Sequence, residues 1–274
     1  MASTSRSSAS RWLAIGLAAA SLLVGPASAQ DGYQSSPQRR TVAERDWGPW
    51  LGPFRKQLVP SLMEDFGEQY LYAAADRQLP PPAAGEKRVV FLGDSITDRW
   101  NLARSFPGQP YINRGIGSQV TPQLVLRFHQ DVIALKPAVV VILAGVNDVQ
   151  GFMQQENPEQ IEANFEAMAE MARAHGIRVV MSSILPVNGD EKGAENVIKE
   201  RHPDELRRIN RWLQDYCRRT GCVYADYYSA MVDDRGLMRR GLVVDGIHPN
   251  AQGYAIMAPI ARRAIAEALA AAHH

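Results

Sequence analysis

After Gly85 the chain alternates short apolar runs with longer amphipathic stretches. Segments 88–92, 111–113, 138–144, 178–185 and 223–226 are rich in β-branched and aliphatic residues and predict five strands. Segment 138–144 reads Ala-Val-Val-Val-Ile-Leu-Ala with no polar position, the pattern of a strand covered on both faces. The stretches between predict capped helices. Thr121-Pro122 offers an N-cap and a first-turn proline, and Asn157-Pro158-Glu159-Gln160 a capping box ahead of Ile161, Phe165, Met168 and Ala172. Gly176 is placed to end that helix, the Met and Phe stripe reads as core, and an alanine-rich helix over 251–272 closes the chain. Strand followed by helix, repeated five times, implies an α/β fold: a parallel sheet with helices on both faces, right-handed crossovers, and ligands at the carboxyl ends of the strands.

The N-terminal third has a different pattern. Arg6 and Arg11 precede an apolar run from Leu13 to Val24, which breaks at Gly25-Pro26 before Ala27-Ser28-Ala29. A basic start, a short apolar core and a small-residue site predict a signal peptide over 1–29, cut between Ala29 and Gln30. Twelve apolar residues are too few for the ~20 that span a bilayer, so no stable membrane insertion is expected after cleavage. Gln30 stands where a lipoprotein needs cysteine. Segment 30–46 reads as a flexible lead-in, and 46–54 as a packed loop rich in aromatics and breakers, with sugar stacking as the alternative use of Trp47, Trp50 and Phe54. Leu62, Phe66, Tyr70 and Ala73 predict a helix over 61–77, ended by Pro80-Pro81-Pro82. Together 30–84 form an N-terminal extension to a domain over 85–274.

Composition narrows the function. The 274 residues are 46% hydrophobic and 22% charged, with 30 Lys+Arg against 29 Asp+Glu. That balance excludes a disordered tail and gives no field for nucleic acid. Loss of 1–29 leaves 245 residues with 28 basic and 29 acidic, a net charge of −1. In an oxidising compartment Cys217 and Cys222 can bridge a short turn between a helix and the next strand; a catalytic thiol is the sharper alternative.

Candidate chemistry follows the strands. The first ends in Gly93-Asp94-Ser95-Ile96-Thr97, where Asp-Ser reads as a helix cap or as a nucleophile at a helix start. The second ends in Asn113-Arg114-Gly115-Ile116-Gly117-Ser118. Val120 breaks the dinucleotide fingerprint, leaving Gly115 as an oxyanion-facing N–H or a left-handed turn residue. After the third, Gly145-Val146-Asn147-Asp148 offers an amide donor or a capping Asn. Asp245-Gly246-Ile247-His248-Pro249-Asn250 puts a carboxylate and an imidazole three residues apart, the base and orienting acid that a neutral serine needs. Asp94 and Asp148 read as supports that stiffen these loops.

Four blocks in this order resemble the SGNH/GDSL hydrolase family of serine esterases over roughly residues 86–270, with Ser95, Gly115, Asn147 and His248 in context. Ile96 stands where the family's short name has leucine, and the N-terminal extension lies outside the family pattern. The resemblance implies a flavodoxin-like three-layer α/β/α sandwich of strand order 2-1-3-4-5. It also implies an acyl-enzyme mechanism with Ser95, His248 and Asp245 as triad and Ser95, Gly115 and Asn147 as oxyanion hole. An α/β-hydrolase elbow needs G-x-S-x-G, but Thr97 follows Ile96. No cofactor or metal is expected, since His129, His175, His202 and His273-His274 lack ligand spacing. The expected partner is a small-molecule or glycan ester in the periplasm or outside the cell, with no oligomeric state implied. The polar, turn-rich 185–193 favours a short acyl group on a carbohydrate. Lysophospholipase, thioesterase or arylesterase activity is the alternative within the family, and a non-catalytic glycan- or lipid-binding module the alternative outside it.

Overall fold

The structure, a computed structural model, describes residues 48–153 and 156–271. The leader over 1–29, the lead-in over 30–46, Trp47 and the terminal histidines lie outside the described residues. The described residues belong to one unit, Trp47–His274. In chain order its elements are α1 (Gly48–Glu64), α2 (Tyr70–Gln78), β1 (Val89–Gly93), α3 (Ser95–Asp98), α4 (Leu102–Ser105), β2 (Tyr111–Gly115), α5 (Thr121–Asp131), β3 (Val139–Leu143), α6 (Val146–Gln150), α7 (Pro158–Ala174), β4 (Arg178–Ser182), α8 (Val197–Arg201), α9 (Pro203–Thr220), β5 (Val223–Ala225), α10 (Tyr228–Met231) and α11 (Ala251–Ala270).

The five strands pair in parallel in the order β2-β1-β3-β4-β5, the flavodoxin-like order. Every residue of β1 and β3 is buried, because α5, α7 and α9 cover one face of the sheet and α11 with α4 covers the other. Register matters for function: Gly93 aligns with Gly115 on one side and Leu143 on the other. Three strands therefore end level, and the residues after each emerge along one edge. Gly93 itself is required there, since a Cβ would lie 2.2 Å from Thr97 Oγ1 and 2.3 Å from the Leu143 carbonyl.

The α7 capping box is present, with Asn157 and Gln160 exchanging side-chain and backbone hydrogen bonds. Its stripe of Ile161, Phe165, Met168 and Ala172 is fully buried, and each large side chain contributes about 1.5–3 kcal/mol of hydrophobic stabilisation. One cap and two segments differ from expectation. Val120, not Thr121, precedes the first turn of α5, because the Thr121 N–H and hydroxyl both donate to Asp148 Oδ1. Segment 46–54 is not a loop from Gly48 onward but the start of α1. Leu51, Phe54, Leu58 and Leu62 recur at helical spacing, and that periodicity prevails over Pro53 and Pro60 inside the helix. Phe54 stacks on Phe152 at 5.9 Å. The helix expected over 61–77 divides into the end of α1 and all of α2, separated by a turn at Gly67-Glu68 where Glu68 has φ 52°. That turn is tied to α5 by Gln123, which donates to the Phe66 carbonyl. No helix among the described residues is long and apolar enough to cross a membrane.

Candidate active site

Ser95 opens α3 directly after β1, and Asp94 caps that helix by accepting from the Ile96 N–H at 2.9 Å. The cap turns the chain sharply and presents the serine hydroxyl at the level edge of the sheet. The loop before α11 supplies the facing group: Ser95 Oγ lies 2.8 Å from His248 Nε2, and His248 Nδ1 lies 2.7 Å from Asp245 Oδ2. Asp245 Oδ1 also accepts from the backbone N–H groups of Ile247 and His248, so the acid holds both the ring and the turn that carries it. Burial pushes the Asp245 carboxyl up, but the hydrogen bonds from His248 and the backbone outweigh it and hold the group well below the usual carboxylate range. A carboxyl held low in this way is ionised through the neutral range, the state in which it can hold an imidazole ring by charge.

Asn147 stands near the start of α6, turned there by Gly145 at φ 111°, where a Cβ would lie 2.6 Å from Ile184. One of its amide hydrogens goes to the Gln119 carbonyl at 3.0 Å, which fixes the side chain and leaves the other hydrogen for the site.

The Gly115 N–H, expected to face an oxyanion, is already engaged: it donates to Asn113 Oδ1 at 2.8 Å, and the Gly115 carbonyl accepts from Tyr72. Gly115 is not a left-handed turn residue either, since it ends β2 in extended conformation; a Cβ at 115 would meet the Asp98 nitrogen at 2.0 Å, so it permits close packing of α3 on β2. The open N–H groups in this block belong to Gly117 and Ser118, in the turn closed by Gln119 N–H to the Ile116 carbonyl. A Cβ on Gly117 would lie 3.9 Å from Ser95 Cβ, and Ser118 has φ 67°.

Beneath these loops runs a polar network with no short motif to announce it. Arg127, fully buried, donates to Asp131, to Gln119 Oε1 and to the Gly93 carbonyl, and so joins the strand that leads into Ser95 to the loop that fixes Asn147. Its sequence signal was two charges, Arg127 and Asp131, four residues apart on the apolar face of α5. Arg201, also buried, donates to Gln150 at the end of α6 and lies in the field of both Asp94 and Asp245. Burial pushes Asp94 up to about 7, with Asp148 raising it further and the Ile96 N–H and Arg201 opposing. Cys217 and Cys222 are joined in a disulfide across the turn from α9 to β5.

The GDSL-like lipase/acylhydrolase family model matches residues 91–256, more than half of the chain. The chain belongs to this family. As a GDSL acylhydrolase it is an ester-hydrolysing enzyme. A GDSL-like lipase of Bacteroides thetaiotaomicron is 34% identical and superposes with a TM-score of 0.69 over 74% of this chain and 100% of that one. The acetylxylan esterase of Geobacillus stearothermophilus is 24% identical over 208 residues, 64% of this chain and 91% of the relative. Crystal structures of catalytic mutants of that esterase, altered at a serine, an aspartate and a histidine, share the fold with TM-scores of 0.53–0.54 at 19–21% identity, over 68% of this chain and 95% of theirs.

Proposed function

We propose that this acylhydrolase removes short acyl groups, acetyl above all, from carbohydrate esters, with Ser95 as nucleophile. Ser95 Oγ attacks the ester carbonyl while His248 Nε2 takes its proton, and Asp245 orients the ring and stabilises the imidazolium. The developing oxyanion is held by the N–H of Ser95, the free amide hydrogen of Asn147 and the N–H groups of the turn at Gly117-Ser118; removal of one such donor costs about 2.7–4 kcal/mol. The intermediate collapses, the alcohol leaves with the proton from His248, and water activated by the same ring releases the acid. The observation that carries this reading is the continuous chain Ser95 Oγ to His248 to Asp245, at 2.8 and 2.7 Å. The likeness to an acetylxylan esterase supports acetyl as the acyl group and a glycan as the alcohol. The loop over 185–193 supports it too: Asn188 N–H donates to the Gly246 carbonyl of the His248 turn, Leu185 and Val187 are buried in the core, and the part that follows, Asn188-Gly189-Asp190-Glu191-Lys192-Gly193, is polar and turn-rich. Export after cleavage at Ala29 is part of the proposal, supported by the leader pattern and by a disulfide suited to an oxidising compartment.

The test is a chain-length series of p-nitrophenyl esters together with acetylated xylan. Acetate is expected to be the best ester, acetylated xylan to be deacetylated, and Ser95→Ala to lower kcat by about 10⁴-fold or more. An unchanged rate in Ser95→Ala refutes the nucleophile. A maximum at long acyl chains replaces the carbohydrate reading with a lipase-like one.

A further inference from the structure

A cavity of ≈480 Å³ opens between the turn joining α3 to α4 and the first turns of α11. It begins where the hydrogen-bonded chain of the active site ends. Arg99, on its wall, has Nη1 3.8 Å from Asp245 Oδ2, and Pro249 and Asn250, also on the wall, directly follow His248. No step of the acyl-transfer chemistry uses it.

Its lining is chemically specific. Tyr254 forms an aromatic side, stacked on the buried Trp100 with ring centroids 5.4 Å apart and pinned by its hydroxyl, which donates to the Ile96 carbonyl at 2.8 Å. The ring is thus rigid before any ligand arrives. Asn101 and Asn250 spend their carbonyl oxygens on capping α4 and α11, and Asn250 also donates to the Gly241 carbonyl. Two guanidinium groups complete the wall. Arg99 is shared with Asp245, whereas Arg104 is exposed and makes no ion pair with any described residue. Arg262 sits alongside, donating to the Ser105 carbonyl, and no Asp or Glu lines the cavity. A fixed aromatic face accepts the flat side of a sugar ring, and an unpaired guanidinium beside it recognises a carboxylate by a bidentate, charge-assisted pair. A neutral sugar or a plain acyl chain would leave Arg104 without a partner.

We propose that this cavity is a subsite for a uronate residue, so that the preferred substrate is an acetylated acidic polysaccharide: Tyr254 carries the sugar ring, and Arg104, assisted by Arg99, holds its carboxylate. This rests on the carbohydrate-ester reading and narrows it to a substrate class.

The test is equilibrium binding to the whole mature protein by calorimetry, comparing a xylotriose that bears one glucuronate with unsubstituted xylotetraose. Neither ligand is turned over, so the result does not depend on which ester the enzyme cleaves; deacetylation of neutral acetylated xylo-oligosaccharides tests that reading separately. The acidic sugar is expected to bind about tenfold tighter or better, with an advantage that shrinks as salt rises. Arg104→Ala is expected to bring the two sugars within about twofold, and Arg104→Lys to restore part of the preference, since it keeps the charge but loses the fork. Equal affinities in the unaltered protein, or a preference that survives Arg104→Ala, overturn the proposal. So does binding of lysophosphatidylglycerol that depends on Arg104 without binding of the acidic sugar, which assigns the site to a lipid headgroup.

Discussion

At the scale of single residues, Ser118 carries a conformation its side chain disfavours. Its φ of 67° lies in the left-handed region, where an L-residue with a Cβ is strained by about 1–2 kcal/mol and glycine is not. Ser118→Gly keeps the backbone N–H, so it is expected to raise stability by up to about 1 kcal/mol, the relief being partly offset by the freer unfolded chain, with esterase activity retained. Ser118→Val, β-branched, is expected to lower both. Thermal unfolding of the two variants checks this; an equal or lower Tm for the glycine variant refutes it. The same turn marks the limit of what residue patterns reveal. That Ser95, Asp245 and His248 come together was legible because each sits in a short motif whose geometry is local: a serine after a strand-ending glycine, and an aspartate three residues before a histidine. Which N–H of the second block is open was not. Asn113-Arg114-Gly115-Ile116-Gly117 offers two glycines, and which N–H is free depends on where the Asn113 side chain points, to Gly115. The direction of a hydrogen bond is not written in residue type.

At the scale of elements, the five strands and the capped helix α7 were legible from apolar runs and a capping box, since both signals act over a few residues. Helix α1 was misread as a loop up to Phe54, because two prolines and two glycines masked a clear periodicity at Leu51, Phe54, Leu58 and Leu62. How elements grip one another was harder to read, and Asn188 illustrates it. In the sequence it is one polar residue of a turn-rich segment. In the fold it is fully buried, its N–H donates to the Gly246 carbonyl at 2.8 Å and its amide to the Met238 carbonyl at 2.6 Å. Gly246 lies between Asp245 and His248, and it must be glycine, for its φ is 84° and a Cβ would lie 2.1 Å from the Asn188 carbonyl. The segment after β4 therefore clamps the turn that carries Asp245 and His248. Asn188→Ala keeps the backbone bond but strands the Met238 carbonyl. It is expected to reduce stability by about 1–3 kcal/mol and kcat/KM for p-nitrophenyl acetate by about 10–100-fold, mainly through kcat. Asn188→Asp, isosteric but unable to donate, is expected to do the same. An activity unchanged in both would mean that the His248 turn holds its geometry without this clamp.

Across the whole molecule, near-zero net charge hides several buried ionisable groups whose partners come from distant parts of the chain. Gln119, Arg127 and Asp131 link β1 to α5, and Asp148 links α6 to Thr121 at the start of α5. No local pattern could reveal these groups as a set, because their meaning lies in being buried together. They make stability depend on pH in a definite direction. Burial, reinforced by a hydrogen bond with Asp148 and by its charge, pushes the Glu156 carboxyl from 4.5 up to about 8. Burial likewise lifts Asp94 from 3.8 to about 7. A carboxyl with a raised native pKa keeps in the fold a proton that the unfolded chain gives up, so stability is greatest below the unfolded value and falls as pH rises toward the native one. Asp245, held low, has the opposite sign, and its contribution is lost only in strong acid. The folded protein is thus expected to be most stable in mild acid, with Tm declining from about pH 5 to pH 8.5. Glu156→Gln, whose amide donates to Asp148 without titrating, is expected to make the decline shallower below about pH 7, where Asp94 still contributes, and to remove most of it between about pH 7 and pH 8, where Glu156 alone of the two does. Thermal unfolding of both proteins across this range checks the sign and the residue together. A Tm that rises with pH refutes the buried-carboxyl account, and an equal slope in the Gln variant removes Glu156 from it.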